Sequence, residues 1–179
     1  MNFCSNCGGR VHLQVPTGDD RPRHVCQACG MVHYRNPLMV VGCIPQWEDR
    51  ILLCRRNIEP RKGKWTLPAG YLENGETVIE GARRETWEEA GSRVADLAPY
   101  LLFDIVYVNQ VYLMFRAQME TPDYCTTDES SEVALFHETE IPWHDIAFRV
   151  MEKTLARYFE DRSVGRYPFR IRQVTRARQ

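Results

Sequence analysis

Glu85, Glu88 and Glu89 stand three and four residues apart within Arg84-Glu-Thr-Trp-Glu-Glu-Ala-Gly91. On a helix that spacing gathers three carboxylates onto one face. Like charges so placed weaken a bare helix, so the arrangement asks for a cation. Ligands that are all oxygen favour a hard ion, Mg²⁺ or Mn²⁺. Such ions keep waters and take phosphate oxygens, which implies a substrate that carries phosphate.

A second set of chemistry-bearing residues lies at the N-terminus. Cys4-x-x-Cys7 and Cys26-x-x-Cys29 are two paired thiols, each followed by a turn-forming glycine. Two such pairs at this separation predict a tetrahedral zinc site. A redox Cys-x-x-Cys occurs singly, and four thiolates leave no open position for a water, so the zinc is expected to be structural. His12, His24 and His33 lie nearby and are read as exposed or supporting residues. Cys43, Cys54 and Cys125 are isolated and read as small packing residues.

The elements that must position these groups follow from patterning. Residues 1–36 hold too few large apolar side chains to fold alone, so the metal is expected to drive the folding of a zinc ribbon. Arg35-Asn36-Pro37 is a turn-prone join to a main domain over 37–160. Leu38–Ile44 and Ile51–Cys54 read as paired strands, and Trp65–Leu67 as a short strand before Pro68-Ala69-Gly70. Thr77-Val-Ile-Glu80 is a capping-box pattern that starts a helix, and Gly91 ends it. Ile79, Ala82, Thr86 and Ala90 form the expected inward stripe, opposite the acidic face. Val94–Val108, Val111–Met119 and Glu132–Phe136 read as further strands, and Phe148–Phe159 as a helix. The sum is an α/β fold, a mixed sheet with helices on its faces, after a small β zinc ribbon.

Composition narrows the function classes. The net charge of −1 gives the chain as a whole no pull toward nucleic acid or anionic membrane. Residues 161–179 differ: Arg162, Arg166, Arg170, Arg172, Arg176 and Arg178 against Asp161 make +5, which leaves −6 for the rest. This stretch reads as an Arg-rich tail, disordered or a subunit contact. Met1-Asn-Phe-Cys has no basic start or apolar run, and no segment reaches the length of a membrane span. An intracellular, cytoplasmic protein is expected, without disulfides.

Taken together, Gly70-x5-Glu76-x7-Arg84-Glu85-Thr86-x-Glu88-Glu89-x-Gly91-Ser92 resembles the signature of the Nudix hydrolases. The resemblance covers roughly residues 38–160 and departs from the family at Thr86 and Ser92, where an aliphatic residue is usual. It implies an α/β/α sandwich that cleaves nucleoside diphosphates linked to another moiety, using two or three divalent ions. Glu85, Glu88 and Glu89 match the metal-binding glutamates, Arg84 and Glu76 the pair that holds them, and the Ala69 carbonyl a backbone metal contact. For the base that takes the water's proton, Glu85 comes first. Glu132 resembles a later acid of the metal site, and Glu129 is the alternative from the same loop. Glu132 is preferred because its place before a strand is better fixed.

A ribbon followed by such a domain resembles two branches of the family. The branch that hydrolyses NADH and NAD-capped RNA carries Ser-Gln-Pro-Trp-Pro-Phe-Pro after the motif, and that marker is missing here. His33-Tyr-Arg-Asn-Pro37, Gly63-x-Trp-Thr-Leu-Pro-Ala-Gly70 and Glu140-Ile-Pro-Trp143 are similar to a second branch, which resembles plant FAD pyrophosphohydrolases. The resemblance therefore implies FAD, cut to FMN and AMP, or ADP-ribose, in a homodimer. Arg55, Arg56, Arg61 and Lys62 are placed to meet a diphosphate, and Phe103 and Tyr107 to stack on a flat ring. Two competing classes are an RNA-directed protein gripping with ribbon and tail, and a non-catalytic nucleotide sensor.

Overall fold

Two glycine-closed cysteine turns organise the first unit, Met1–Pro37, of the computed structural model, which describes residues 1–176. Gly8 (φ 72°) and Gly30 (φ 70°) are left-handed, and their amides donate to the carbonyls of Cys4 and Cys26, both at 3.0 Å. The same turn is thus made twice, and glycine is the residue that takes this conformation without strain. Three short antiparallel strands connect the turns in the order β1 (Val11–Gln14), β2 (Arg23–Cys26), β3 (Val32–His33). Only Cys4, Val25 and Cys26 of this unit are buried, so apolar burial alone does not account for its folding.

The second unit begins at Leu38. Its strands are β4 (Leu38–Trp47), β5 (Arg50–Arg56), β6 (Trp65–Thr66), β7 (Ala69–Tyr71), β8 (Val94–Ile105), β9 (Gln110–Met119), β10 (Ser130–Phe136) and β11 (Arg170–Gln173). Its helices are α1 (Val78–Ala90) and α2 (Arg149–Ser163). The sheet runs β10-β5-β4-β9-β8-β11, with β6 paired to β5 and β7 to β4. β4 and β9 are parallel, as are β8 and β11, and the other pairs are antiparallel. Successive side chains point to opposite faces of the pleat. Leu52 and Cys54 therefore join Val41, Cys43, Ala82 and Ala90 in one core, under α1. Ile51 and Leu53 join Val150, Leu155, Tyr158 and Phe159 in the other, under α2. Each fully buried leucine contributes roughly 1.5–3 kcal/mol. The mixed sheet is covered by a helix on each face, the α/β/α sandwich expected from the sequence. No helix among the described residues is long and apolar enough to cross a membrane.

The helix that carries the glutamates begins and ends where its caps dictate. Thr77 Oγ1 accepts from the Glu80 amide at 3.2 Å, and Glu80 Oε2 accepts from the Thr77 amide at 2.8 Å. Gly91, left-handed at φ 60°, closes the helix by donating to the Trp87 carbonyl. The expected inward stripe holds at Ala82, Thr86 and Ala90 and fails at Ile79. Ile79 is 39% exposed, whereas Glu85 and Glu89 are buried with Gly81, Ala82, Thr86 and Ala90. The small residues 81 and 82 let the helix lie close to the sheet, and the carboxylates are turned toward it rather than away.

The two departures from the motif are resolved differently. Thr86 Oγ1 donates to the Ala82 carbonyl one turn back, at 2.8 Å. Ser92 is fully buried and its Oγ has no hydrogen-bond partner among the described residues. A buried hydroxyl left unmatched costs about 1–3 kcal/mol. Ser92→Ala is therefore expected to raise the melting temperature by roughly 4 °C for each kcal/mol recovered. A thermal melt checks this, and a lower melting temperature would contradict it.

The Arg-rich tail is also corrected. Asp161 and Arg162 belong to α2, and Arg170–Gln173 form β11 alongside β8. The Tyr167 ring stacks on Tyr158 at 5.7 Å, with the Arg116 guanidinium 3.8 Å from its centroid. Val174 is buried in the α2 core. Of the six arginines in this stretch, Arg178 lies outside the described residues.

Candidate active site

Arg84 is the hub of the acidic helix. Its Nε and Nη2 donate to the two Glu76 carboxylate oxygens at 3.0 and 2.7 Å, a two-pronged pair. Its Nη1 donates to Glu85 at 2.7 Å and to Glu88 at 2.8 Å, and its Nη2 also reaches the Tyr71 carbonyl at 3.0 Å. A planar guanidinium suits such a fork. One side chain thus fixes two of the three helical carboxylates and ties them to the loop after β7. The Arg84 guanidinium holds Glu76 well below the usual carboxylate range, at about 2.

Glu85 and Glu89 are under a different constraint. They are 8% and 6% exposed, while the Glu88 side chain is about half exposed. Burial pushes the Glu85 carboxyl up against the opposing pull of Arg84. Burial pushes Glu89 up to about 8, although it accepts the Ala69 amide at 3.1 Å. Glu129 adds like charge to both. Two buried carboxylates beside a third are costly without a counterion.

Gly70 lies against this pair. A methyl group there would sit 2.2 Å from a Glu85 carboxylate oxygen, too close for any real contact. Gly70→Ala is expected to displace Glu85, with a loss of roughly 1–3 kcal/mol in stability and a fall in turnover. Wild-type kinetics in that variant would show that Glu85 needs no fixed position.

These groups line a cavity of about 840 Å³, within the range of small-ligand sites. Glu85, Glu88, Glu89, Glu129, Arg84, Ala69 and Gly70 belong to its lining. So do Arg56, Tyr71, Tyr107, Tyr112, Phe148, Arg149 and Arg176. The Arg56 guanidinium sits 5.1 Å from the Phe148 ring centroid. Burial pushes the Tyr112 hydroxyl up to about 12, so it stays a neutral donor.

Several sequence expectations are redistributed. Glu76 is paired with Arg84 and lies off the cavity lining. Glu132 is not on the cavity; its carboxylate takes Arg55 Nη1 at 3.1 Å, and Arg55 is likewise absent from the lining. A register shift between Ser130 and Glu132 separates the strand acid from the loop acid, and Glu129 is the one that reaches the cavity. Phe103 is 2% exposed in the α2 core, so it has no open face for stacking. Tyr107 and Arg56 do line the cavity. Tyr71, Tyr112, Phe148, Arg149 and Arg176 escaped the sequence reading.

Among the described residues, only the four cysteines bring three or more potential ligand atoms within 4.8 Å of one another. Cys4 and Cys29 sulfurs are 3.8 Å apart, and Cys7 and Cys26 sulfurs 3.5 Å. A tetrahedral ion with Zn–S bonds of about 2.3 Å needs sulfur–sulfur edges of roughly 3.8 Å, so the cluster fits zinc. The Met31 amide and the neighbouring thiols hold Cys29 down to about 6. The backbone at Gly9 lowers Cys7, yet Cys26 and Cys29 outweigh it and push that thiol up to about 12. Four thiols this close do not all ionise without a cation. His33 Nε2 lies 3.2 Å from Cys4 Sγ, where it would support that sulfur as a metal ligand. The glutamates form no such cage. Oxygen donors spread along a cavity wall suit hard ions that share their coordination with phosphate.

Comparison with known proteins agrees with both halves. Residues 2–35 match the zinc-ribbon family described as Nudix N-terminal, and residues 37–158 match the NUDIX domain. A NUDIX hydrolase from Nitrosomonas europaea is 49% identical with a TM-score of 0.94, covering 98% of this chain and 100% of that one. The NAD-capped RNA hydrolase NudC of Photobacterium profundum is 31% identical over 79% of this chain and 52% of its own length. Nudix hydrolase 19, chloroplastic, of Arabidopsis thaliana is 31% identical over 77% of this chain and 32% of its own. The chain thus spans about half or less of the length of these curated relatives.

Proposed function

The chain belongs to the Nudix family, and from that premise we propose that it hydrolyses the pyrophosphate bond of a nucleoside diphosphate, an ADP unit, linked to another moiety. FAD and ADP-ribose are the preferred substrates. The observation that carries this reading is the pair of buried carboxylates, Glu85 and Glu89, on the lining of a cavity that also holds arginines and tyrosines. Glu85, Glu88 and Glu89, with the Ala69 carbonyl, would hold Mg²⁺ or Mn²⁺, which polarises phosphate oxygens, neutralises charge developing at phosphorus and acidifies the attacking water. Phosphoryl transfer otherwise needs positioning and positive charge. Arg84, anchored on Glu76, orients Glu85 and Glu88. Arg56 supplies a cation on the cavity. As the water oxygen bonds to phosphorus, the anhydride P–O bond breaks and the water's proton passes to a carboxylate. Glu129, on the cavity where Glu132 is not, is one candidate for that base and Glu85 the other. Two monophosphates leave.

A second reading is favoured by the Photobacterium profundum relative, whose name records NAD-capped RNA as its substrate. All these molecules share an adenosine phosphate joined through a pyrophosphate to a second nucleoside or sugar. A panel of FAD, ADP-ribose, NADH, NAD-capped RNA, diadenosine polyphosphates and nucleoside triphosphates, each with Mg²⁺ or Mn²⁺ and products identified by mass, separates them. FMN plus AMP from FAD is the expected leading result. Exclusive cleavage of the capped RNA would move the assignment to the second reading, and loss of nucleoside triphosphates alone would overturn both. The homodimer implied by the family resemblance belongs to the same reading, and light scattering in solution tests it.

A further inference from the structure

The stretch that reads as a solvated tail enters the cavity. β11 pairs in parallel with β8, from Arg170 opposite Leu101 to Gln173 opposite Asp104. The chain then continues with Val174, whose amide donates to the Asp104 carbonyl at 3.0 Å. Its course is fixed at one end by Asp161, which is 5% exposed. That carboxylate accepts the Tyr100 hydroxyl at 2.7 Å and Arg170 Nη2 at 2.9 Å. Burial alone would raise the Asp161 carboxyl, yet Arg170 and Tyr100 outweigh it and hold it low. At the other end Arg149 Nη1 donates to the Thr175 carbonyl at 3.5 Å. Val174, Thr175 and Arg176 thereby become cavity lining.

Arg176 ends this run with its guanidinium carbon 5.5 Å from the centroid of Tyr107. It has no carboxylate partner among the described residues, although several carboxylates line the same cavity. Tyr107 is 43% exposed and lies on the single 3-10 turn Val106–Val108 that follows β8. A guanidinium laid on a tyrosine ring presents a flat, cationic face. These two side chains come from different elements than the glutamates, which belong to α1.

We propose that Arg176 and Tyr107 form the base platform of the cavity, on which a planar heteroaromatic ring of the dinucleotide stacks. Arg170, through Asp161, is the positioning residue that sets the strand carrying Arg176. This rests on the hydrolase reading and names the part of the site that reads the nucleoside. A charged phosphate is the competing ligand for Arg176, and lysine distinguishes the two, since it keeps the charge and lacks the flat face.

The test measures kcat and KM for FAD and ADP-ribose with Mg²⁺, and in parallel the affinity for AMP and FMN by calorimetry, in the full chain. Arg176→Ala is expected to raise KM by about tenfold and weaken FMN or AMP to match, the size of a desolvated cation–ring contact. Arg176→Lys should fail to restore either. Arg170→Gln should raise KM by several-fold with kcat held, and the double variant should be no worse than Arg176→Ala alone, as for two residues acting through one contact. KM within twofold of wild type in Arg176→Ala, full recovery with lysine, or additive losses in the double variant would each overturn the proposal. If the natural chain cleaves no dinucleotide, the hydrolase reading falls, and the AMP and FMN affinities still decide the platform.

Discussion

Turnover of Glu89→Gln is expected to fall by about a thousandfold, the equivalent of several kcal/mol of metal-borne charge stabilisation in the transition state. The fold should be untouched, because glutamine has nearly the same shape and can still accept the Ala69 amide as Glu89 does. Burial raises Glu89 to about 8. In metal-free buffer the natural chain therefore binds this proton more tightly folded than unfolded, and loses stability as pH rises from the ordinary carboxylate range toward 8. Glu89→Gln removes that loss. Its melting temperature should equal that of the natural chain at low pH and exceed it above pH 8. Kinetics and thermal melts across pH check both halves. Near-normal turnover, or a collapse of the fold at every pH, would contradict the role assigned to this carboxylate.

Loss of zinc has the second large effect, and it falls on the other unit. Only three residues of Met1–Pro37 are buried, two of them cysteines of the cluster. Structural zinc in small domains contributes about 10–16 kcal/mol of apparent binding free energy at neutral pH. Metal analysis of the natural chain should find one zinc per chain, and Cys26→Ser should lose it. Cys26 is the better choice than Cys4, because His33 Nε2 sits beside the Cys4 sulfur and is placed to take over as a ligand. Limited proteolysis should then cut within residues 1–37 and spare the remainder. The glutamate cluster is built from residues 69–89 and 129, so turnover should stay within about twofold, as for independent sites. Absence of zinc from the natural chain would overturn the ribbon reading.

What the sequence made legible was mostly local. The bounds of the acidic helix are legible because Thr77, Glu80 and Gly91 are caps whose chemistry acts within a turn. The zinc knuckles were equally local, two thiols and a glycine each. The structure departs from the sequence pattern mostly where long-range register decides. Phe103 lies in β8 beyond two register irregularities, at Ala95/Ala98 and Pro99/Leu101, and it is the further course of the strand that turns Phe103 into the core with Leu101 and Ile105. Glu132, at the strand, pairs with Arg55 after the irregularity at Ser130, while Glu129 of the preceding loop lines the cavity. Of the periodic stripe, Ala82, Thr86 and Ala90 are buried, and Ile79, in the first turn, is exposed while Gly81 faces the sheet in its place. The Arg-rich stretch misled most. Its parallel pairing to β8 comes after the whole of α2, and arginines at alternate positions look solvated until Asp161 is seen beneath one of them.

The central claim is that the glutamate helix serves metal-dependent attack of water on a pyrophosphate. Cleavage of FAD in ¹⁸O-water tests it most directly, with Mg²⁺ present or removed by a chelator and the monophosphate products weighed. FMN and AMP are expected, with a single ¹⁸O atom in only one of them, and no products once the divalent ion is gone. Intact FAD and ADP-ribose after prolonged incubation with Mg²⁺ or Mn²⁺, or cleavage that persists without any divalent ion, would contradict the account.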